Sequence, residues 1–167
     1  MSRSLGFDPG AAKGTAWALY DDEADRLQVG TLSLPYDACL LDYFRLAIDL
    51  IHETCPDVVG IETQYAPRLP ANQESRMDKS RALAALYATA AAALKLAYIR
   101  GLLAGAALTT QVALVELHPT TVKQAITGSG KATKEQVKRM VETLYGKRLG
   151  EDRADAAAVA VAALRRA

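Results

Sequence analysis

The chain opens with Leu5-Gly6-Phe7-Asp8-Pro9-Gly10, a short apolar run that ends in a carboxylate and is stopped by a Pro-Gly turn. A second such run, Val58-Val59-Gly60-Ile61-Glu62, follows an amphipathic helical segment at 40–55. Each acid taken alone could simply mark the exit of a strand into solvent. A strand–helix–strand unit, however, is a crossover, which predicts two parallel strands. Their carboxyl ends then share one edge of a sheet, and Asp8 and Glu62 are expected to face one crevice.

The periodicity of the remaining sequence predicts the other elements. The predicted strands cover 4–8, 15–20, 27–34, 58–62 and 113–117. The predicted helices cover 40–55, 78–106, 119–127, 133–145 and 153–166. The element order is therefore βββαβαβααα. This order predicts an α/β protein with a five-stranded mixed sheet flanked by helices, in one domain over residues 1–167.

Composition excludes the disordered and fibrous classes of protein. Of 167 residues, 50% are hydrophobic, and 20 Lys and Arg nearly balance 19 Asp and Glu. Cys39 and Cys55 lack metal-ligand spacing and are expected to be free thiols of a reducing compartment. No secretory signal is visible, so a cytoplasmic protein is expected. The alanine-rich segment 82–108 carries Lys95 and Arg100, which favours a buried or partner-facing helix over a membrane span.

The near-zero net charge conceals a charge asymmetry along the chain. Residues 1–62 carry 4 basic and 11 acidic side chains, whereas residues 119–148 carry 7 basic and 2 acidic ones. Such a basic block is typical of a solvated helix face or of a surface that binds a polyanion. Several of its members flank a glycine loop, 128–130, whose backbone can approach a phosphate closely. These members are Lys123, Lys131, Lys134, Lys138 and Arg139.

A second pair of carboxylates, Asp152 and Asp155, stands just ahead of an alanine-rich helical run. Because they are three residues apart, both point to one face in the first turn of a helix. A capping arrangement, with an acid at the N-cap and another three residues later, would explain the same pattern. Capping and metal ligation can coexist, since a helix N-terminus stabilises fixed carboxylates.

Four carboxylates in one crevice cannot all stay ionised without a counter-charge, because like charges raise one another's pKa. A divalent cation supplies that charge. Oxygen ligands without nearby His or Cys favour magnesium, with manganese as a substitute, over zinc. Two such ions can activate a water and stabilise the leaving oxygen of a phosphodiester. Provided that the fold unites the two pairs, the sequence predicts phosphodiester hydrolysis.

Five motifs occur in register along nearly the whole chain, and together the sequence resembles the RuvC family of Holliday junction resolvases. They are Leu5-Gly6-Phe7-Asp8-Pro9-Gly10, Gly60-Ile61-Glu62-Thr63-Gln64-Tyr65, the segment from Val122-Lys123-Gln124 to Gly128-Ser129-Gly130, Lys134-Glu135-Gln136-Val137 with Met140-Val141, and Asp152-Arg153-Ala154-Asp155-Ala156. The resemblance implies a ribonuclease H-like fold, a homodimer, and paired magnesium-dependent nicks placed symmetrically across a four-way DNA junction. It also implies a branch-migration helicase as a candidate partner. No membrane partner is expected, because composition and charge predict a soluble globular domain.

The resemblance also implies roles for particular residues. It places metal binding and catalysis on four carboxylates, Asp8, Glu62, Asp152 and Asp155. Lys123 and Lys134 would contact phosphates near the cut, and Tyr65 would stack on an opened base. The stretch 63–94 looks longer than in the family. The resemblance therefore does not fix the shape of the loop that opens the junction.

Two other functions fit the same residues. A ribonuclease H-like nuclease could act on other branched DNA or on RNA–DNA hybrids, since a metal site alone does not select between these substrates. A non-catalytic dimer that binds junctions would keep the fold, although the presence of all four carboxylates argues against it. A Walker A loop at 129–133 is excluded because it follows a helix rather than a strand and has Ala132 where a hydroxyl residue is required.

Overall fold

The structure is a computed structural model that describes residues 2–10, 14–33, 39–63 and 79–167. The strands are β1 (Arg3–Asp8), β2 (Thr15–Asp21), β3 (Arg26–Leu32), β4 (Val58–Glu62) and β5 (Ala113–Leu117). The helices are α1 (Leu40–Thr54), α2 (Lys79–Thr109), α3 (Pro119–Thr127), α4 (Lys134–Tyr145) and α5 (Glu151–Leu164). The predicted order of elements is confirmed.

The five strands form one mixed sheet in the order β3-β2-β1-β4-β5. Strands β1, β2 and β3 pair in antiparallel fashion, as an N-terminal meander. Strand β4 lies parallel to β1, and β5 lies parallel to β4. The crossover prediction is therefore confirmed, and the carboxyl ends of the three parallel strands meet at one edge of the sheet.

Helices cover both faces of the sheet, and strand alternation decides which side chain goes to which face. On one face, Leu5, Phe7 and Ile61 pack with α1 and α2. On the other face, Val58 and Leu117 pack with α3, α4 and α5. Buried apolar layers on both sides of the sheet thus hold the central strands β1 and β4 in place.

Helix α5 approaches the sheet so closely that only glycine fits beneath it. Its buried face is built of alanine and valine, so it presents little side-chain bulk. A methyl group added at Gly6 on β1 would overlap the backbone of Ala156 and Ala160. One added at Gly60 on β4 would lie 2.6 Å from the Cβ atom of Ala163. The helix therefore lies directly on the backbone of β1 and is separated from that of β4 only by the small side chains of Val159 and Ala163.

A buried hydrogen bond adds a directional contact to this packing. The hydroxyl of Ser4 on β1 is fully buried and donates to the carbonyl oxygen of Ala160 at 2.7 Å. A buried hydroxyl without an acceptor would be unfavourable, so this contact is strongly specified. It links the strand that carries Asp8 directly to the helix that carries Asp152 and Asp155.

Several predicted boundaries were wrong by one to three residues; helix α5, for example, ends at Leu164 rather than at residue 166. Helix α5 begins at Glu151 rather than at residue 153, because Gly150 adopts the extended N-cap conformation and the first turn starts directly after it. Helix α2 continues to Thr109, three residues beyond the predicted end, and β3 ends at Leu32 rather than at residue 34. The earlier start of α5 places Asp152 inside its first turn.

We expect Gly6→Ala to lower the free energy of unfolding by about 3 kcal/mol, because the added methyl group forces α5 away from the sheet. Urea denaturation followed by far-UV circular dichroism measures this change. The matched control is Gly101→Ala on α2, where the described residues leave open space around the site of the added methyl. This control should be neutral or stabilising by about 0.5–1 kcal/mol. Equal effects of the two substitutions would contradict the close approach of α5.

Candidate active site

The strand register places Asp8 and Glu62 at neighbouring strand ends. Phe7 pairs with Ile61 in the parallel ladder, so the next residue on each strand is a carboxylate at the same edge. The end of β4 is secured by Thr63, which the sequence analysis missed. Its amide donates to the Leu117 carbonyl at 2.7 Å, and its hydroxyl donates to the same oxygen at 3.1 Å. Glu62 thereby projects from a backbone that is tied to β5.

The first turns of α5 bring the second carboxylate pair to this edge. Burial by the protein is the main cause that raises the pKa of Asp8, followed by the negative charges of Asp155, Glu62 and Asp152. Asp155, Glu62 and Asp152 are thus all within electrostatic reach of Asp8. Capping does not account for the pair, since the N-cap of α5 is Gly150 and no side-chain cap hydrogen bond forms there.

The pKa values of three carboxyl groups in this cluster are displaced upward. Burial and the neighbouring charges raise the pKa of Asp8 from 3.8 to about 7. Burial, and then the charge of Asp155, raise the pKa of Glu62. Burial also raises the pKa of Asp155, against the attraction of Lys134. A cluster in this state favours any species that adds positive charge, whether protons or a metal ion.

Two lysines supply positive charge on one side of the cluster. The Lys134 ammonium lies 3.3 Å from a carboxylate oxygen of Asp155, and this carboxylate is the main cause that raises the pKa of Lys134. Lys123 of α3 lines a small cavity together with Glu62, Lys134 and Asp155. Both lysines lower the pKa of Glu62 by electrostatic attraction. Two of the predicted phosphate-contacting residues therefore stand beside the carboxylates.

The other predicted DNA-binding residues have different surroundings. Arg139 is paired with Glu135, one turn away on its own helix, at 2.7 Å. Lys131 is exposed in the loop before α4, and Lys138 is half-buried on α4. Tyr65 and the Pro67–Pro70 stretch lie outside the described residues.

The donor set of the cluster suits a hard divalent cation in its chemistry. All four acidic side chains offer oxygen, and such ligands favour magnesium or manganese. Among the described residues, no three His, Cys, Asp or Glu side chains are already gathered around a common metal position. Asp155 is instead engaged by Lys134. The residues therefore fit a metal ion by donor type, and the ammonium of Lys134 supplies part of the positive charge that the cluster requires.

Comparison with known proteins identifies relatives over almost the whole chain. The family model described as "Crossover junction endodeoxyribonuclease RuvC" matches residues 4–163. The protein of that name from Halorhodospira halophila is 34% identical over 96% of this chain and 89% of its own length. The one from Gluconacetobacter diazotrophicus is 32% identical over 96% of this chain and 89% of its own length.

Solved structures agree with this result at the level of fold. Thermus thermophilus RuvC in complex with a Holliday junction substrate superimposes with a TM-score of 0.72 at 20% identity, covering 97% of this chain and 92% of that one. A second Thermus thermophilus RuvC structure gives a TM-score of 0.66 at 22% identity. The likeness confirms the predicted ribonuclease H-like architecture.

The metal-free protein is expected to become less stable as the pH rises from about 4 to about 7. The folded state binds a proton on Asp8 with a pKa of about 7, whereas the ordinary value is 3.8, so folding is favoured at low pH and penalised once Asp8 ionises. Asp8→Asn removes that charge. It should raise the free energy of unfolding at pH 8 by roughly 2–4 kcal/mol and change it little at pH 4.

Urea denaturation in EDTA at pH 4 and pH 8 measures this difference. The matched control is Asp49→Asn, which removes an exposed carboxylate from α1 and should have a small effect at both pH values. A gain for Asp8→Asn that is equal at pH 4 and pH 8 would contradict a raised pKa of Asp8.

Proposed function

The chain belongs to the RuvC family of crossover junction endodeoxyribonucleases, and from this premise we propose that it resolves four-way DNA junctions by metal-dependent phosphodiester hydrolysis. Asp8, Glu62, Asp152 and Asp155 are the proposed catalytic and metal-binding residues. The observation that supports this assignment best is the strand register, which sets Asp8 and Glu62 at neighbouring strand ends beside the first turns of α5 that carry Asp152 and Asp155; the charges of those three carboxylates add to burial in raising the pKa of Asp8. Such a concentration of negative charge is unfavourable for stability and is typical of a functional site.

The proposed cofactor is magnesium, with manganese as a substitute and two ions in each active site. When bound, the ions would activate the attacking water and stabilise the leaving oxygen. The protein contributes fixed positions for the ligands, because Asp8 and Glu62 project from paired strands and Asp155 projects from a helix packed on those strands. Lys134 forms an ion pair with Asp155. If a cation binds that carboxylate instead, the Lys134 ammonium is released to contact a phosphate.

DNA contacts are proposed for six further residues. Lys123 and Lys134 are supported by their positions beside the carboxylates, since both line a small cavity together with Glu62 and Asp155. Lys131, Lys138 and Arg139 extend the basic surface along the loop before α4 and along α4 itself, where they would act on the phosphate backbone rather than on bases. Tyr65 is proposed to stack on an unpaired base at the junction centre.

A homodimer is proposed because a symmetric pair of nicks requires two active sites. The exposed face of α2 supports this proposal. Tyr87, Leu94 and Tyr98 are 69%, 72% and 53% exposed, and their spacing places them along one side of the helix. The segment Leu86–Thr109 is also long and apolar enough to span a membrane, and 22% of an apolar 18-residue window within it is buried. In a nuclease that acts on DNA, this face is better explained by contact with a second copy of the chain.

Family membership favours junction resolution over the two alternatives. A nuclease for RNA–DNA hybrids and a non-catalytic junction-binding dimer both fit the fold, but neither is the activity named for the relatives. A cytoplasmic location and an association with a branch-migration helicase are proposed on the same basis.

Asp8→Asn is expected to abolish magnesium-dependent cutting of a mobile four-way junction and to leave binding in calcium largely intact, because only one metal ligand changes. Gel assays of labelled junctions measure both properties. Linear duplex, a flap and an RNA–DNA hybrid serve as control substrates and should remain uncut by the wild-type protein. Cutting by Asp8→Asn would remove Asp8 from the mechanism, and equal cutting of the hybrid would favour the ribonuclease H alternative.

The protein is expected to be a dimer at micromolar concentration, and Leu94→Glu should shift it toward the monomer by placing a charge in the proposed interface. Light scattering after size exclusion measures the mass. The control is Leu144→Glu, which alters a leucine of α4 that is 51% exposed. A wild-type monomer, with or without junction DNA, would contradict the proposed dimer.

A further inference from the structure

A cavity lies beside the carboxylates, on the side away from Lys123 and Lys134. It occupies about 240 Å³ between the start of β2, the end of β3 and the first turn of α5. Its lining combines small residues, one hydroxyl and one guanidinium with a single carboxylate: Gly14, Ala16, Thr31, Gly150, Asp152 and Arg153. Polar groups in a recess of this size suit a small charged group rather than an apolar ligand.

The guanidinium in this cavity is not explained by the stability of the fold. Arg153 lies in the first turn of α5, where the helix dipole disfavours a cation. Within the described ranges, Arg153 is exposed and takes part in no ion pair. A residue that opposes a local preference without a compensating contact is expected to serve a function.

One wall of the cavity is formed where the start of β2 packs closely against the end of β3. Gly14 has a φ of +89°, a conformation that side chains rarely adopt, and a methyl group there would overlap the carbonyl oxygen of Leu32. Thr31 pairs with Ala16 across β2 and β3, and its exposed hydroxyl can donate a hydrogen bond into the cavity. Backbone and hydroxyl donors beside a guanidinium are the usual ligands of a phosphate oxygen.

The cavity lies along the same sheet edge as the carboxylates, on the side of β2 and β3. Asp8 pairs with Ala16 of β2, and Thr15 of β2 pairs with Leu32 of β3, so the cavity lies one to two strands beyond Asp8. Neighbouring strands are about 5 Å apart, which places the cavity roughly 5–10 Å from Asp8, with Asp152 between them as part of the cavity lining. Successive phosphates of a DNA strand are separated by a distance on this scale. A DNA strand that crosses this edge of the sheet would thus contact Lys123 and Lys134 on one side of the cut and Arg153 on the other.

We propose that this cavity is a second phosphate subsite, in which Arg153 and Thr31 bind a DNA phosphate that flanks the one being cut. The subsite rests on the proposed function, since it assumes that the cut phosphate lies over the four carboxylates. It contributes to substrate binding and to the placement of the strand. Asp152 also faces the cavity, so the flanking phosphate binds most strongly when a divalent cation balances that carboxylate.

The test replaces single phosphates of a four-way junction with uncharged methylphosphonates, at each position within two nucleotides of the cut. Binding is measured by fluorescence anisotropy in calcium for the wild type, Arg153→Gln and Lys123→Gln. Arg153→Gln should weaken binding to the unmodified junction about fivefold, as expected for one exposed ion pair, and lower the salt slope by about one.

At one position, the methylphosphonate should weaken binding by the wild type as much as Arg153→Gln weakens binding to the unmodified junction. Arg153→Gln should bind this modified junction no more weakly than the unmodified one. Lys123→Gln should still weaken binding at that position, because it acts on the other side of the cut. Arg153→Gln and the methylphosphonate each raise the dissociation constant by some factor. If the two factors multiply at every phosphate position tested, Arg153 does not contact any of these phosphates and the proposed subsite is wrong.

Two controls separate other causes. Arg166→Gln removes the same charge just beyond the far end of α5, about 20 Å from Arg153, and should leave binding within about twofold of the wild type. Thermal denaturation of Arg153→Gln should show a melting temperature equal to or slightly above that of the wild type, because an unfavourable charge is removed. Cutting of the unmodified junction by the wild type in magnesium is measured in parallel. Its absence would refute the proposed function, whereas cutting without coupling at Arg153 would refute the subsite alone.

Discussion

The structure depends on the approach of one helix to the backbone of two strands. Helix α5 packs backbone against backbone over Gly6 and through the small side chains of Val159 and Ala163 over Gly60, and this contact carries Asp152 and Asp155 to the strand ends that hold Asp8 and Glu62. Side-chain packing at the usual distance would leave the two carboxylate pairs farther apart. The alanines of α5 and the two glycines are therefore part of the candidate active site, although none of them takes part in chemistry.

The four carboxylates lower the stability of the folded protein by electrostatic repulsion, and this repulsion is confined to one edge of the sheet. Burial and mutual repulsion raise the pKa of Asp8 to about 7, and Lys134 offsets only part of the charge through Asp155. Such an arrangement trades stability for affinity toward cations and phosphates. The basic residues flank this edge rather than cover it, with Lys123 and Lys134 on the α3 and α4 side and Arg153 on the β2 and β3 side.

The sequence was informative wherever a local rule determines the outcome. Apolar runs that end in Asp8 and Glu62, joined by one helix, leave little freedom in how β1 and β4 pair, so the shared edge could be predicted. Helix α5 was harder, because a run of alanines has no clear apolar face and does not show where the helix begins. The double hydrogen bond of Thr63 and the cavity beside Arg153 depend on neighbours distant in the chain, which a single sequence does not reveal.

The buried hydroxyl of Ser4 has a consequence for the precision of the site. A helix surface made of alanines is nearly smooth, so little in its shape opposes sliding along its own axis. The hydrogen bond from Ser4 to Ala160 opposes this sliding, because it is short and directional. Ser4 lies four residues before Asp8 on the same strand. Together with the close packing at Gly6 and Gly60, this fully buried hydroxyl therefore helps to align both acids of α5 with the strand ends.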